Sequence, residues 1–303
     1  MKYATFLLTA LLLLCACSNR SASTSTATEA PSGAASAESA SPAQSPSPEA
    51  GASSAAASPA AGPSTLSVSY DDISGVFGSN EITQLASLGV FGLTSGHFNP
   101  ARPVLRREFV RWLFLANNAI WANDTNKLVH PAQGEASSFI DVKTSDPDFQ
   151  YIQGLQDAGI SVGFPDKTFR PDVPITHEQA VAIKAALDRG GVDKDFVITK
   201  AQPTYGYYSI PDWKDKQDIS PEYVGPIATG EWDDKGAPAK SRIDNVPRTF
   251  GAIAMFHPKA SLTRVQAAIM LWKIGPHARS SSTQDAARTA ADALAPVSAS
   301  PTP

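Results

Sequence analysis

The chain has 303 residues, enough for one or two domains, and 25 basic against 29 acidic side chains leave a formal net charge of −4. That balance excludes the bulk positive field of a nucleic-acid binder, so an anionic ligand has to be met by a few placed cations. Both cysteines, Cys15 and Cys17, fall near the N-terminus, which leaves the rest of the chain without a disulfide or a cysteine metal site.

Met1-Lys2 is followed by YATFLLTALLLLCAC, the basic start and short apolar run of a secretory signal, too short to cross a bilayer comfortably. Its end, Leu14-Cys15-Ala16-Cys17, resembles a bacterial lipobox, in which cleavage precedes a cysteine that carries a diacylglycerol thioether. Ala16 supplies the small residue wanted before the cut and Leu14 does not. Residues 1–16 are therefore expected to be a signal peptide and Cys17 the lipidation site, with acyl chains holding the protein on a membrane. Residues 17–65 are Ala-, Ser-, Pro-, Thr-, Gly- and Glu-rich and carry no large apolar side chain before Leu66. Such a segment has nothing to offset ordering entropy. It reads as a disordered tether with a coil span of roughly 40 Å and an extended reach of about 160 Å.

From Leu66 the composition becomes that of a foldable chain, and one unit recurs three times, over residues 66–125, 136–191 and 210–279. Each opens with an aromatic residue and, two later, an aspartate: Tyr70/Asp72, Phe139/Asp141 and Trp213/Asp215. Each later carries F-x-P, at Phe98/Pro100, Phe169/Pro171 and Phe256/Pro258, and eight residues past the phenylalanine stand Arg106, His177 and Arg264. The distance from opening aromatic to phenylalanine is 28, 30 and 43 residues, so the third unit carries an insertion, expected within Trp232 to Ala254.

Two helices are predicted in each unit. The first begins near Asn80-Glu81, at Asp146-Pro147-Asp148 and at Ser220-Pro221, the latter two as a cap followed by proline in the first helical position. Gly159 supplies a stop after the helix of the second unit. The second helix begins just after F-x-P. Thr176-x-x-Gln179 and Thr263-x-x-Gln266 are capping boxes, whereas Leu105 takes the place of the capping hydroxyl ahead of Glu108 and predicts a weaker start. Phe109, Trp112 and Trp272 fall at core spacing behind these starts. Residues 280–303 are again Ala/Ser/Thr/Pro-rich and are expected to be a disordered tail. A single unit cannot hide its apolar faces, while three can cover one another.

Through FIDV, GISVGFPDKTFRP and ITHEQA in the second unit and LTRVQAAIMLW in the third, the chain resembles the S-layer homology domain. The resemblance implies an all-α pseudo-three-fold spindle whose inter-unit grooves bind anionic, sometimes pyruvylated, cell-wall polysaccharide or a peptidoglycan-linked polymer. It also implies that the motif arginine faces a groove, which carries over to Arg106 and Arg264 and, by substitution, to His177. A helix start adds free amides and the positive end of a dipole, and arginine adds a planar fork for a carboxylate. The expected protein is thus a non-catalytic, exported lipoprotein of the bacterial envelope that needs no cofactor or metal and binds no nucleic acid. Homotypic assembly of a surface layer, or a protein-interaction scaffold, is the alternative. A hydrolase is disfavoured, since the carboxylates of SDPDF are absorbed by capping and His97, His130, His257 and His277 lack ligand spacing.

Overall fold

The aromatic and aspartate that open each unit act on the same short loop. In the computed structural model, which describes residues 65–160, 163–190, 210–236, 242–277 and 287–296, each aspartate accepts two backbone amides from F-x-P. Asp72 takes Phe98 and Asn99 at 2.8 and 2.6 Å, Asp141 takes Phe169 and Arg170 at 2.8 and 2.7 Å, and Asp215 takes Phe256 and His257 at 2.8 and 2.7 Å. The middle residue of each F-x-P is left-handed, with φ of 59° at Asn99, 59° at Arg170 and 53° at His257. Side chains other than glycine reach that region at a cost, and two charge-assisted bonds to one carboxylate hold it there. The opening aromatic then packs on the phenylalanine, with ring centroids 5.5 Å apart for Tyr70/Phe98, 5.3 Å for Phe139/Phe169 and 4.7 Å for Trp213/Phe256. Cys17 and the tether lie outside the described residues.

The described residues are mostly helical, with α1 Ser79–Ser87, α2 Arg106–Ile120, α3 Phe149–Asp157, α4 His177–Asp188, α5 Pro221–Gly236, α6 Asn245–Phe250, α7 Arg264–Leu271 and α8 Ala290–Leu294. None is long and apolar enough to cross a membrane. Two short sheets accompany them. Strands β1 Ser69–Tyr70 and β2 Ser95–Gly96 pair in parallel, and β3 Lys273–Ile274 and β4 Arg288–Thr289 pair antiparallel. The second helices start where the caps predict, after Leu105, Thr176 and Thr263. Glu108 reaches back to the Leu105 amide at 3.0 Å, but a leucine side chain returns no bond, so half of the box is missing. The first helix of the third unit starts at Pro221, as the cap predicts, whereas those of the first two units differ from expectation by a residue or two. In the second unit the Asp146 carboxylate accepts the Asp148 amide at 2.8 Å, which makes a turn of that stretch and delays α3 to Phe149. Gly159, with φ 71°, ends the unit's first helix as expected.

Packing joins one unit to the next. Helix α2 lies on α3, α4 on α5 and α7 on α1, so every second helix packs against the first helix of another unit and the last returns to the first. At the centre the Val104 amide donates to Leu262 at 2.9 Å, Leu262 to Ile175 at 2.9 Å and Ile175 to Val104 at 3.1 Å, which closes a ring of three hydrogen bonds. All three side chains are fully buried, as are Phe109, Leu113, Leu187, Ala267 and Leu271 behind them. Trp112 is buried with them and Trp272 is half-buried.

Two regions depart from simple repetition. In the third unit α5 has 16 residues against 9 in α1 and α3, and α6 follows it ahead of F-x-P. The expected disordered tail needs correction: within it β4 pairs with β3, the Ala290 amide donates to Trp272 at 2.9 Å, and α8 packs on α1 and α2. The segment has little apolar bulk, but small Ala290 fits against the bundle with no exposure. Thr289 and Asp292 exchange capping bonds of 3.1 and 2.9 Å that start α8.

Candidate functional site at the seams between units

The residues expected to face grooves, Arg106, His177 and Arg264, are each the first residue of a second helix and each reaches the F-x-P phenylalanine of the next unit. The Arg106 guanidinium lies 4.7 Å from the Phe169 ring and Arg264 4.8 Å from Phe98. The His177 ring is 6.1 Å from Phe256. The structure therefore does not gather them into one site but distributes them over three seams. Each is buried, with 2, 7 and 8% of Arg106, His177 and Arg264 exposed.

A second residue completes every seam. The Arg106 Nη1 donates to Gln179 at 3.4 Å, Arg264 Nη1 to Glu108 at 2.8 Å, and His177 is hydrogen-bonded by Gln266. Glu108, Gln179 and Gln266 are the third helical residues whose side chains reach back to cap their own helix starts. One capping side chain thus serves both its own helix and the basic residue of the preceding unit.

The free amides expected at these helix starts are not free. Those of Arg106 and Arg107 donate to Val173 and Pro171 at 2.9 and 3.0 Å, those of His177 and Glu178 to Ala260 and Pro258 at 2.9 and 3.1 Å, and those of Arg264 and Val265 to Arg102 and Pro100 at 2.9 and 3.0 Å. Each helix start is closed by the F-x-P loop of the next unit, so any charge offered to a ligand comes from side chains.

The residue after the basic one differs in each seam. Arg107 binds Asp146 at 3.0 Å, Asp148 at 3.2 Å and Asp172 at 2.8 Å, and Arg111 joins Asp148 at 2.9 Å. Burial works to lower the Arg107 pKa, yet its bonds to Asp146 and Asp172 raise it overall. Glu178 reverses the polarity, accepting from Lys259 at 2.6 Å and from the Ser220 amide and hydroxyl at 2.8 and 3.1 Å. Val265 is apolar and meets Gly78, where an added Cβ would come within 2.8 Å of Val265 and Ile269.

Electrostatically the seams diverge. Burial lowers the Arg106 pKa to about 10, so the group stays cationic near neutrality. Arg264 is lowered by burial, against which the neighbouring Glu108 carboxylate works. Burial also lowers the His177 pKa, and its Nδ1 donates to the Phe256 carbonyl at 3.1 Å, so the imidazole sits there as the neutral Nδ1–H form. A carbonyl only accepts, which fixes that tautomer.

Sequence reasoning missed Arg170. Its guanidinium lies 3.9 Å from the Phe164 ring, whose centroid is also 5.0 Å from Arg106. It bonds Asp166 at 2.9 Å and Thr168 at 3.1 Å. These bonds to Thr168 and Arg170 hold Asp166 near a pKa of about 2. The signal was the variable middle letter of F-x-P, which is exposed in all three units. His97, which has no ligand spacing in sequence, comes to 2.7 Å from Asp71 and close to Asp72. Both Asp72 oxygens already accept amides, so this surface group is accounted for by the loop it closes.

Compared with protein families, residues 69–110 and 138–181 match the S-layer homology domain. No curated protein matches the chain. S-layer homology domains commonly bind cell-wall polysaccharides or anchor surface proteins, are binding rather than catalytic modules, and point to the bacterial surface or envelope.

Proposed function

We propose that the chain is a non-catalytic anchor joining a membrane to the cell wall of a bacterium. Lipid on Cys17 holds one end, residues 18–65 span the gap, and three S-layer homology repeats arranged as a pseudo-three-fold spindle hold an anionic, pyruvylated wall polysaccharide. The third repeat, which no family match covers, is counted because Trp213, Asp215 and Phe256 reproduce the aromatic contact and paired amide bonds of Tyr70, Asp72 and Phe98. The polymer enters at the seams floored by Arg106, His177 and Arg264. The observation that carries this reading is the recurrence, at every seam, of an arginine or histidine laid against an aromatic ring and a capping side chain, with a cation at the Arg106 and Arg264 seams. An aromatic face beside a cation suits a sugar ring that bears a carboxylate.

The test is co-sedimentation of the mature protein with purified sacculi, before and after mild acid removes pyruvyl groups. Retention that falls after acid treatment is expected, and equal retention on both would overturn the pyruvylated ligand. Cys17→Ala is expected to move the protein from the detergent phase to the aqueous phase, and unchanged partition would remove the lipid from the scheme.

A further inference from the structure

The chain does not hold its three seams alike. Helix α3 is the next α-helix after α2 and α5 the next after α4, whereas α7 returns to α1 at the other end of the fold. Bringing two segments together costs more entropy the longer the chain between them, so the seam of α7 and α1 has the least help from connectivity. We infer that residues 287–296 are a clasp that shuts this seam, standing in for the last turns that α7 lacks.

The sequence prepares a place for it. The second helices run for 15 residues in α2 and 12 in α4 but only 8 in α7. A longer α7 would offer the carbonyls of Ile269 and Met270 to the amides of Lys273 and Ile274, four residues on. Arg248 of α6 takes both instead, with Nη1 donating to Ile269 and Nη2 to Met270 at 3.2 Å. Lys273 and Ile274 pass into β3 and lie opposite Thr289 and Arg288 of β4. The carbonyl of Trp272 would meet the amide of the residue at 276, but that residue is a proline and has none. The Ala290 amide of the clasp donates to it at 2.9 Å.

The clasp and the segment before it reach all three units. Ala290 is fully buried and Ala287 nearly so, α8 lies on α1 and α2, and the Arg288 guanidinium is 5.5 Å from the ring of Trp121 at the end of α2. Trp272, whose carbonyl holds the clasp, also donates from its indole to Gln84 of α1 at 2.5 Å. Ahead of the clasp the amides of Gly275 and His277 donate to the carboxylate and carbonyl of Asp188, at the end of α4, at 2.8 and 3.1 Å. These bonds gather at the ends of the second helices, whereas the ring of Val104, Ile175 and Leu262 ties their starts. On the anchoring reading above, a pull along residues 18–65 arrives at Leu66, whose amide bonds Ser87 at the end of α1, and so falls first on the seam that the clasp shuts.

The experiment is site-resolved amide hydrogen exchange on the full chain, with thermal midpoints checking that each variant folds. The reporters are the amides at the helix starts, far from the clasp: Arg264 and Val265 for the seam of the third and first units, Arg106 and Arg107 for the first and second, and His177 and Glu178 for the second and third. Wild type is compared with Ala290→Glu, with a chain ended after Asp285, and with Ala295→Glu at an exposed position. Unseating one methyl and its backbone bonds predicts that Ala290→Glu lowers protection at Arg264 and Val265 about tenfold and at the other reporters less than about twofold. The shortened chain follows the same pattern with a larger loss, and Ala295→Glu matches wild type. Equal losses at all these amides would make the tail a general stabiliser and overturn the clasp, as would unchanged protection at Arg264 and Val265 in Ala290→Glu. Neither wall nor membrane enters the measurement, so failure of the anchoring reading would leave the clasp standing.

Discussion

Asp215→Ala tests whether the opening aspartate is what holds the F-x-P loop. The change removes two amide bonds of 2.8 and 2.7 Å to a carboxylate. Hydrogen bonds to a charged partner are each worth about 1.5 to 3 kcal/mol. The Phe256 amide belongs to a residue that is 1% exposed and has no ready access to water, while His257 is partly open and can be rehydrated. His257 also sits at φ 53° and loses the restraint that offsets a strain of about 1 kcal/mol. The expected loss is about 3 kcal/mol, and for Asp215→Asn, which keeps one acceptor oxygen, about half of that. Equilibrium urea denaturation at pH 7 measures both. The acid limb gives an independent sign. Burial acts to raise the Asp215 pKa, but the amides of Phe256 and His257 outweigh it and hold the group below 3.8. A depressed carboxylate contributes stability that is whole above the unfolded value and lost as pH falls through the folded one. Wild type and Asp215→Ala should therefore converge below about pH 4. A cost under about 1 kcal/mol at pH 7, or a difference that grows on acidification, would refute the loop-clamp account.

Arg107→Ala leaves Asp148 buried with one fewer cation and is expected to cost about 2 kcal/mol by urea denaturation, more than Arg170→Gln at an exposed site. His277 has its pKa lowered to about 4 by burial, so its contribution is whole above the unfolded value of 6.5 and lost as pH falls toward 4. That is roughly 3 kcal/mol between pH 7 and 4, and His277→Gln should flatten this part of a stability profile. A chain ended after Gly190 loses Leu262 from the central ring and α5 from the face of α4, and should show no cooperative thermal transition; a sharp one would show that two units suffice.

The sequence made the order of the units and the starts of their second helices readable, because capping boxes and F-x-P spacing are local signals. Thr176, Thr263 and the positions of Arg106, His177 and Arg264 follow from them directly. What it concealed was the partner of each local feature. Nothing local distinguishes an aspartate that caps a helix from Asp72, Asp141 and Asp215, whose bonds reach 26 to 42 residues along the chain. The same distance hides the packing of α2 on α3 and α7 on α1, and the carbonyls that close the helix starts. Arg170 was hidden because its placement depends on a left-handed backbone that the letters around it do not announce. The tail was misjudged on composition, which counts apolar bulk and misses a strand bond to β3 and an alanine small enough to seat in the bundle.

Near-repetition creates a problem of its own, since units that present the same ring, loop and helix start could pair in the wrong order or with units of another chain. The second residue of the second helices answers it. Arg107 needs the acids of Asp146, Asp148 and Asp172, Glu178 needs Lys259 and the start of α5, and Val265 needs the bare backbone at Gly78. Placing Arg107 opposite Lys259, or Glu178 opposite the three aspartates, would set like charges together in a partly buried seam, and either charge against Gly78 would be desolvated without a partner. The central ring of Val104, Ile175 and Leu262 is indifferent to order because its bonds are made by backbone alone. Cohesion therefore comes from what the units share, and their order from the helix position that carries a cation, an anion and an apolar side chain in turn. The third helical position is then free to vary, which is how one seam sets Arg106 against a neutral Gln179 while another sets Arg264 against Glu108.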